Sequence, residues 1–140
     1  MLAELGKEYA DLARAQRRLR GRDATQPGRL TAPQVNLLLP LLADGPMSSG
    51  NLAEAAGLTA ATTTHMLDQL AVVGVVERNR LEDDKRVVIT GLTEEGRQMV
   101  EIRRDEMTAA WANAFEDIDT ETLEKSVQVL DAICRFVDDL

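Results

Sequence analysis

Residues 45–96 constrain the fold more than any other stretch of the chain. The segment reads GPMSSGNLAEAAGLTAATTTHMLDQLAVVGVVERNRLEDDKRVVITGLTEEG. Ser48 is suited to cap a short helix whose apolar face is Leu52, Ala55 and Ala56, and Gly57 closes it. Thr59 caps a second helix, with Met66, Leu67, Leu70 and Val73 turned inward, and Gly74 stops it. Val75–Asn79 and Arg86–Leu92 then read as two strands joined by a polar loop. Two short helices around a glycine turn, followed at once by an Arg-flanked hairpin, make a helix-turn-helix with a β-wing.

The flanks are helical. Leu2, Leu5, Tyr9, Leu12, Gln16 and Leu19 recur at alternating spacings of three and four, a heptad-like seam over residues 2–20. Residues 21–30, GRDATQPGRL, read as a loop. A further helix begins near Thr31-Ala32-Pro33, and its body VNLLLPLLA is apolar nearly all round and therefore central. Pro40 is expected to kink that helix or end it early, and Asp44-Gly45-Pro46 closes the segment. Thr93 caps a fifth helix that runs to about residue 117, with Glu94 and Glu95 favourably placed in its first turn. Asp119 caps a sixth, on which Leu123, Val127, Leu130, Cys134 and Val137 form a second seam. The expected fold is mainly α, a six-helix winged helix-turn-helix with a small β-wing. Residues 30–96 form the winged domain, and 1–29 with 97–140 form a helical dimerisation region. A small winged core cannot bury both terminal seams, so a second copy about a two-fold axis is the expected partner.

Charge is divided along the chain. The formal net charge is −8, which argues at first sight against a nucleic-acid partner. Residues 1–43 carry seven Lys/Arg against four Asp/Glu, and residues 44–75 carry three acids and no base. Residues 76–90 carry four of each, and residues 91–140 carry thirteen acids against five bases. The acid excess thus sits outside the hairpin, and screening over a Debye length of ~8–10 Å leaves the local basic edge effective. With one His and one Cys, no metal site, disulfide or catalytic triad can be assembled; no cofactor is implied, and an enzyme is disfavoured. No apolar run of membrane-spanning length occurs, and MLAELGKEYADLARAQ is amphipathic and acidic, unlike a signal peptide. A cytoplasmic location with no membrane partner is expected.

The order of motifs resembles the MarR family of bacterial transcriptional regulators. The carriers are Leu30-Thr31-x-Pro33-Gln34, Leu52-Ala53-Glu54, Gly57-Leu58-Thr59 and Leu67-Asp68-x-Leu70, then Gly74-Val75-Val76-Glu77-Arg78, Asp84-x-Arg86 and Leu92-Thr93-x-Glu95-Gly96. The resemblance implies a homodimer with intertwined terminal helices, whose two winged lobes read a pseudo-palindromic operator in double-stranded DNA, most often as a repressor. It also implies a small-molecule effector, often phenolic, seated where the helical region meets the winged lobe. Tyr9, Leu12, Gln16, Met107 and Trp111 are the candidate liners, and ordinary core packing explains each of them separately as well.

On the second helix of the motif, periodicity turns Ala60, Ala61, Thr64, His65 and Asp68 outward, flanked by Thr59 and Thr62. Thr and Ala methyls can contact thymine in the major groove. The family often has Arg where His65 stands; His65 is either a base contact, held protonated by Asp68, or a surface histidine. The wing offers Arg78, Arg80, Lys85 and Arg86, with Arg86 suited to a narrow minor groove and Asp84 to holding it. A solvated hairpin tip is the plainer alternative. Ser48, Ser49 and Asn51 are placed to meet phosphates, although capping alone accounts for them. The Arg cluster at 14–22 is expected to pair with the acidic tail helices, and Cys134 to be a buried, inert thiol. The competing reading is a winged-helix protein-interaction module that no longer binds DNA.

Overall fold

The computed structural model describes residues 1–24 and 26–140 and divides into two compact units, Met1–Arg104 and Asp105–Leu140. In chain order the elements are α1 (Leu2–Asp23), α2 (Ala32–Asp44), β1 (Met47–Ser48), α3 (Ser49–Ala56) and α4 (Ala60–Val72). They continue with β2 (Val76–Arg80), β3 (Val88–Leu92), α5 (Glu94–Ala114) and α6 (Thr120–Asp138). Six helices and a small antiparallel sheet are as the sequence led us to expect. The sheet has three strands rather than two, in the order β1-β3-β2. Met47 pairs with Thr90 and Ser48 with Ile89, so the residues just before α3 close one edge of the wing. A two-residue strand leaves no alternation to read, which is why the sequence did not reveal it.

The core of the first unit forms around α2. Val35, Leu37, Leu38 and Leu41 are buried there, joined by Leu52 and Ala53 of α3, Leu67 and Leu70 of α4, Val75, Val76 and, on α5, Val100. Thr31 starts α2 with a capping box: its hydroxyl accepts from the Gln34 N–H, and the Gln34 side chain accepts from the Thr31 N–H at 2.8 Å. Pro40 does not end α2 early. The helix completes another turn to Asp44, closed by the Gly45 N–H on the Leu41 carbonyl. Leu41, buried one residue after the proline, holds that last turn against the core.

Two burial assignments and one helix boundary need correction. Ala53, not Ala55, accompanies Leu52 in the core; on so short a helix two adjacent positions share the buried side. Val73 is 70% exposed and Thr63 fully buried, because α4 ends at Val72 and the Gly74 turn swings Val75 and Val76 inward instead. α1 runs to Asp23, past the proposed loop start at Gly21. Of the segment assigned to that loop, Thr25 lies outside the described residues.

Asp23 explains the longer helix. It is buried, accepts from the Ala32 N–H at 2.9 Å and faces the Arg103 guanidinium at 3.6 Å. Arg103 also donates to the Leu30 carbonyl at 3.1 Å. One ion pair thereby ties the end of α1, the start of α2 and the first half of α5. In the second unit α5 ends at Ala114, Trp111 meets Phe115 edge-on, and Asp119 caps α6 by accepting from the Thr122 N–H at 2.9 Å. No residue of α6 is fully buried.

Candidate nucleic-acid interface

The two helices of the motif are set by their caps. Ser48 accepts from the Asn51 N–H to open α3, and Thr59 accepts from the Thr62 N–H to open α4. Between them Gly57 takes φ +66°, a left-handed conformation that any residue with a Cβ adopts at a cost. Leu67 and Leu70 fix the rotation of α4 by their burial. Ala60, Ala61, Thr62, Thr64, His65 and Asp68 are consequently exposed, as is Thr59 at the cap. Ser48 and Ser49, at the opposite end of the motif, are half-buried, and Ser48 is committed to its cap and to β1.

The Asp68 carboxylate does not serve His65. Its Oδ1 accepts from the Arg78 Nη1 at 2.7 Å. Arg78 lies on β2 opposite Thr90, and its half-buried side chain reaches across to α4. Of the four cations expected to serve the wing, Arg78 is therefore a brace between helix and strand. This pair was missed because its partners are ten residues apart across a turn, where helical spacing gives no signal.

The wing proper spans residues 81–87. Leu81 N–H bonds to the Val87 carbonyl and Val87 N–H to the Asp84 carbonyl, both at 3.0 Å. Arg80 donates to the Lys85 carbonyl at 2.8 Å, closing the loop from the strand side. Asp84 accepts three times from Arg86: the backbone N–H and Nε on Oδ1 at 3.1 Å, and Nη2 on Oδ2 at 3.4 Å. These contacts, the guanidinium's first and the backbone's second, hold the Asp84 carboxyl below the usual carboxylate range. The Arg86 side chain remains 92% exposed. The arrangement is a cation aimed into solvent from an oriented base, which is what insertion into a groove requires.

The remaining candidates fall elsewhere. Tyr9, Leu12 and Gln16 are partly or largely exposed on α1. In the second unit Met107 is half-buried and Trp111 is 69% exposed. Cys134 is exposed in the single chain, on the apolar seam of α6. Arg14 pairs with Asp11 on its own helix at 2.6 Å. Among the described residues no group of three or more His, Cys, Asp or Glu is placed to hold a metal ion, and no helix is long and apolar enough to cross a membrane.

Comparison with known proteins bears on the same segment. Residues 30–88 match the model of the MarR family. The Bacillus subtilis protein YfiV, an uncharacterised HTH-type transcriptional regulator, is 33% identical over 70 residues, half of this chain and 44% of that one. A second regulator of that type from the same organism, YhbI, is 28% identical over 71% of this chain and 64% of its own length. The alignments thus span less than two thirds of either curated relative. Among solved structures, a MarR family protein from Bacillus stearothermophilus superposes with a TM-score of 0.69 at 28% identity, covering 98% of this chain and 95% of that one. Streptococcus pneumoniae FabT, in complex with DNA, shares the fold with a TM-score of 0.79 at 17% identity over 99% of both chains.

Proposed function

We propose, for a chain whose winged helix belongs to the MarR family of transcriptional regulators, a role as a dimeric DNA-binding repressor of a pseudo-palindromic operator. The observation that carries this reading is the Asp84–Arg86 wing tip beside the exposed face of α4. Arg86 is oriented along one guanidinium edge, Nε and Nη2, by Asp84 and still presents its side chain to solvent. A merely solvated tip has no need of the three hydrogen bonds from Arg86 to Asp84. Their cost is the ordering of a long side chain, which is recovered when the cation meets a phosphate-lined groove. FabT, of the same fold, is a DNA complex, which supports the same use of the lobe here.

Dimerisation rests on the apolar residues that each unit leaves uncovered. Leu2 and Leu12 are exposed on α1, and Val127, Leu130 and Val137 on α6. A second copy is the partner that would bury them. Release by a small ligand is the finer part of the proposal; PcaV of Streptomyces coelicolor, 20% identical, was solved with its natural ligand. In such a regulator the protein acts where the DNA is, in the cytoplasm.

Binding of labelled DNA fragments covering the chain's own upstream region tests the function. The expected outcome is saturable binding that weakens with salt and survives excess unrelated DNA. Binding no tighter to any fragment than to random DNA, at low salt, would instead favour a winged-helix protein-interaction module.

A further inference from the structure

The groove-facing side of α4 carries neither Lys nor Arg. Residues 44–75 hold three acids and neither Lys nor Arg. The positions toward the groove are Ala60, Ala61, Thr64, His65 and Asp68, with Thr62 and Gln69 also exposed on the helix, and the Asp68 carboxylate is held by Arg78 at 2.7 Å. Recognition of guanine in the major groove relies on a fork of two donors to O6 and N7, the geometry of Arg or Lys. This face has no such fork. The Thr64 hydroxyl donates once. A neutral imidazole has a single N–H, and the two N–H groups of an imidazolium diverge, so neither form can meet O6 and N7 of one base together. Asp68 only accepts, and would add a third acceptor to the two on guanine. Thr59 is also committed: its hydroxyl donates to Thr62 Oγ1 at 2.9 Å while accepting from the Thr62 N–H. What the face does offer is methyl groups on short side chains, which let the helix backbone approach closely and meet the C5 methyl of thymine.

We infer that α4 reads thymine methyl groups, chiefly through Ala61 and Thr64, and that the half-site beneath it contains no clamped guanine. The inference rests on the DNA-binding reading above and specifies its sequence class. Hydrogen-bond readout on this face falls to His65 and Thr64, one bond each, so methyl contact supplies most of the discrimination.

The test begins with the full-length chain and a pool of random duplexes. The duplex it selects is then resynthesised with single replacements. Deoxyuridine for thymidine removes only the C5 methyl; 7-deazaguanine for guanine removes only N7. Each contacted thymine should lose about fourfold in affinity when its methyl is removed, the value of one buried methyl. Replacement of half-site guanines should change affinity by no more than about twofold. Thr64→Ser keeps the hydroxyl and deletes the methyl. It should erase the deoxyuridine loss at one thymine while the other losses persist. The reverse pattern, with deoxyuridine silent and 7-deazaguanine destroying binding, overturns the inference and leaves DNA binding intact. A pool that yields no enriched duplex at low salt overturns the DNA reading itself, and this inference with it.

Discussion

Arg86 and Arg78 are both wing arginines by sequence, and their surroundings give them different work. Arg86 is exposed and oriented by Asp84, whereas Arg78 is half-buried and spent on Asp68. Arg86→Ala should therefore weaken operator binding by about 1–3 kcal/mol with the fold unchanged by circular dichroism. Arg78→Ala should act on stability first, because it removes the brace between α4 and β2. A titration of both variants against the selected duplex, alongside thermal melts, separates the two; equal affinity losses with equal melts would contradict the division. The pH dependence of the wing follows from Asp84. Its carboxyl is depressed in the folded state by Arg86, so the pairing contributes fully above the ordinary aspartate range and is lost as pH falls through the lowered value. Operator binding should hence show no Asp84-linked change between pH 6 and pH 8, and Asp84→Asn should weaken it across that whole range.

At the scale of elements, the corner that joins β3 to α5 is fixed by close approach. Thr93 donates its hydroxyl to the Gly74 carbonyl at 2.6 Å and its N–H to the Val75 carbonyl at 3.1 Å, and then accepts from the Gly96 N–H at 3.0 Å. A Cβ on Gly96 would lie 1.9 Å from the Val75 carbonyl oxygen. Both partners are backbone, so neither can step aside. Gly96→Ala should destabilise the first unit by about 3 kcal/mol, read as a lowered denaturant midpoint; a midpoint within error of the parent would mean the corner opens freely. The buried Asp23–Arg103 pair makes a second anchor, and Asp23→Ala should cost about 3 kcal/mol by removing the carboxylate that holds the Arg103 guanidinium and the Ala32 N–H. How much of this was legible depends on range. Caps at Thr31, Ser48, Thr59, Thr93 and Asp119 act within one turn, and each was readable from the residue type at the head of an apolar repeat. The wing tip was readable because Asp84 and Arg86 are two residues apart. Asp23–Arg103 and Asp68–Arg78 join residues brought together only by the fold, and nothing in local spacing marks them. Leu52 with Ala53, and Thr63 in place of Val73, show the other limit: at the ends of short helices the periodic rule loses its leverage.

For the whole molecule, the unevenly divided charge sets how binding must respond to salt. The winged lobe has Arg78, Arg80, Lys85 and Arg86 as its cations, and the first is neutralised by Asp68. Arg80 is partly engaged with the Lys85 carbonyl, so the lobe brings roughly two or three phosphate contacts per chain. The remaining basic cluster, on α1, belongs by its apolar seam to the helix assigned to dimerisation, and Arg14 there is already paired with Asp11. If α1 and α6 bury their exposed seams against a second copy, replacing Leu130 and Val137 by Asp should yield monomers or unfolded chain, seen by sedimentation. Dimers that persist in that variant would remove the basis for placing α6 in the interface. With the dimer intact, two lobes should release about four to six counterions, giving a slope of roughly −4 to −5 in log affinity against log salt. The thirteen acids of residues 91–140 contribute little to that slope, since screening confines them to their own surroundings. Affinities measured with the selected duplex between 50 and 200 mM salt give the value directly. A slope much steeper than this would return the α1 arginines to the DNA and take them out of the dimer. One close to zero would leave the wing without phosphate contacts, and the orientation of Arg86 by Asp84 would need another purpose.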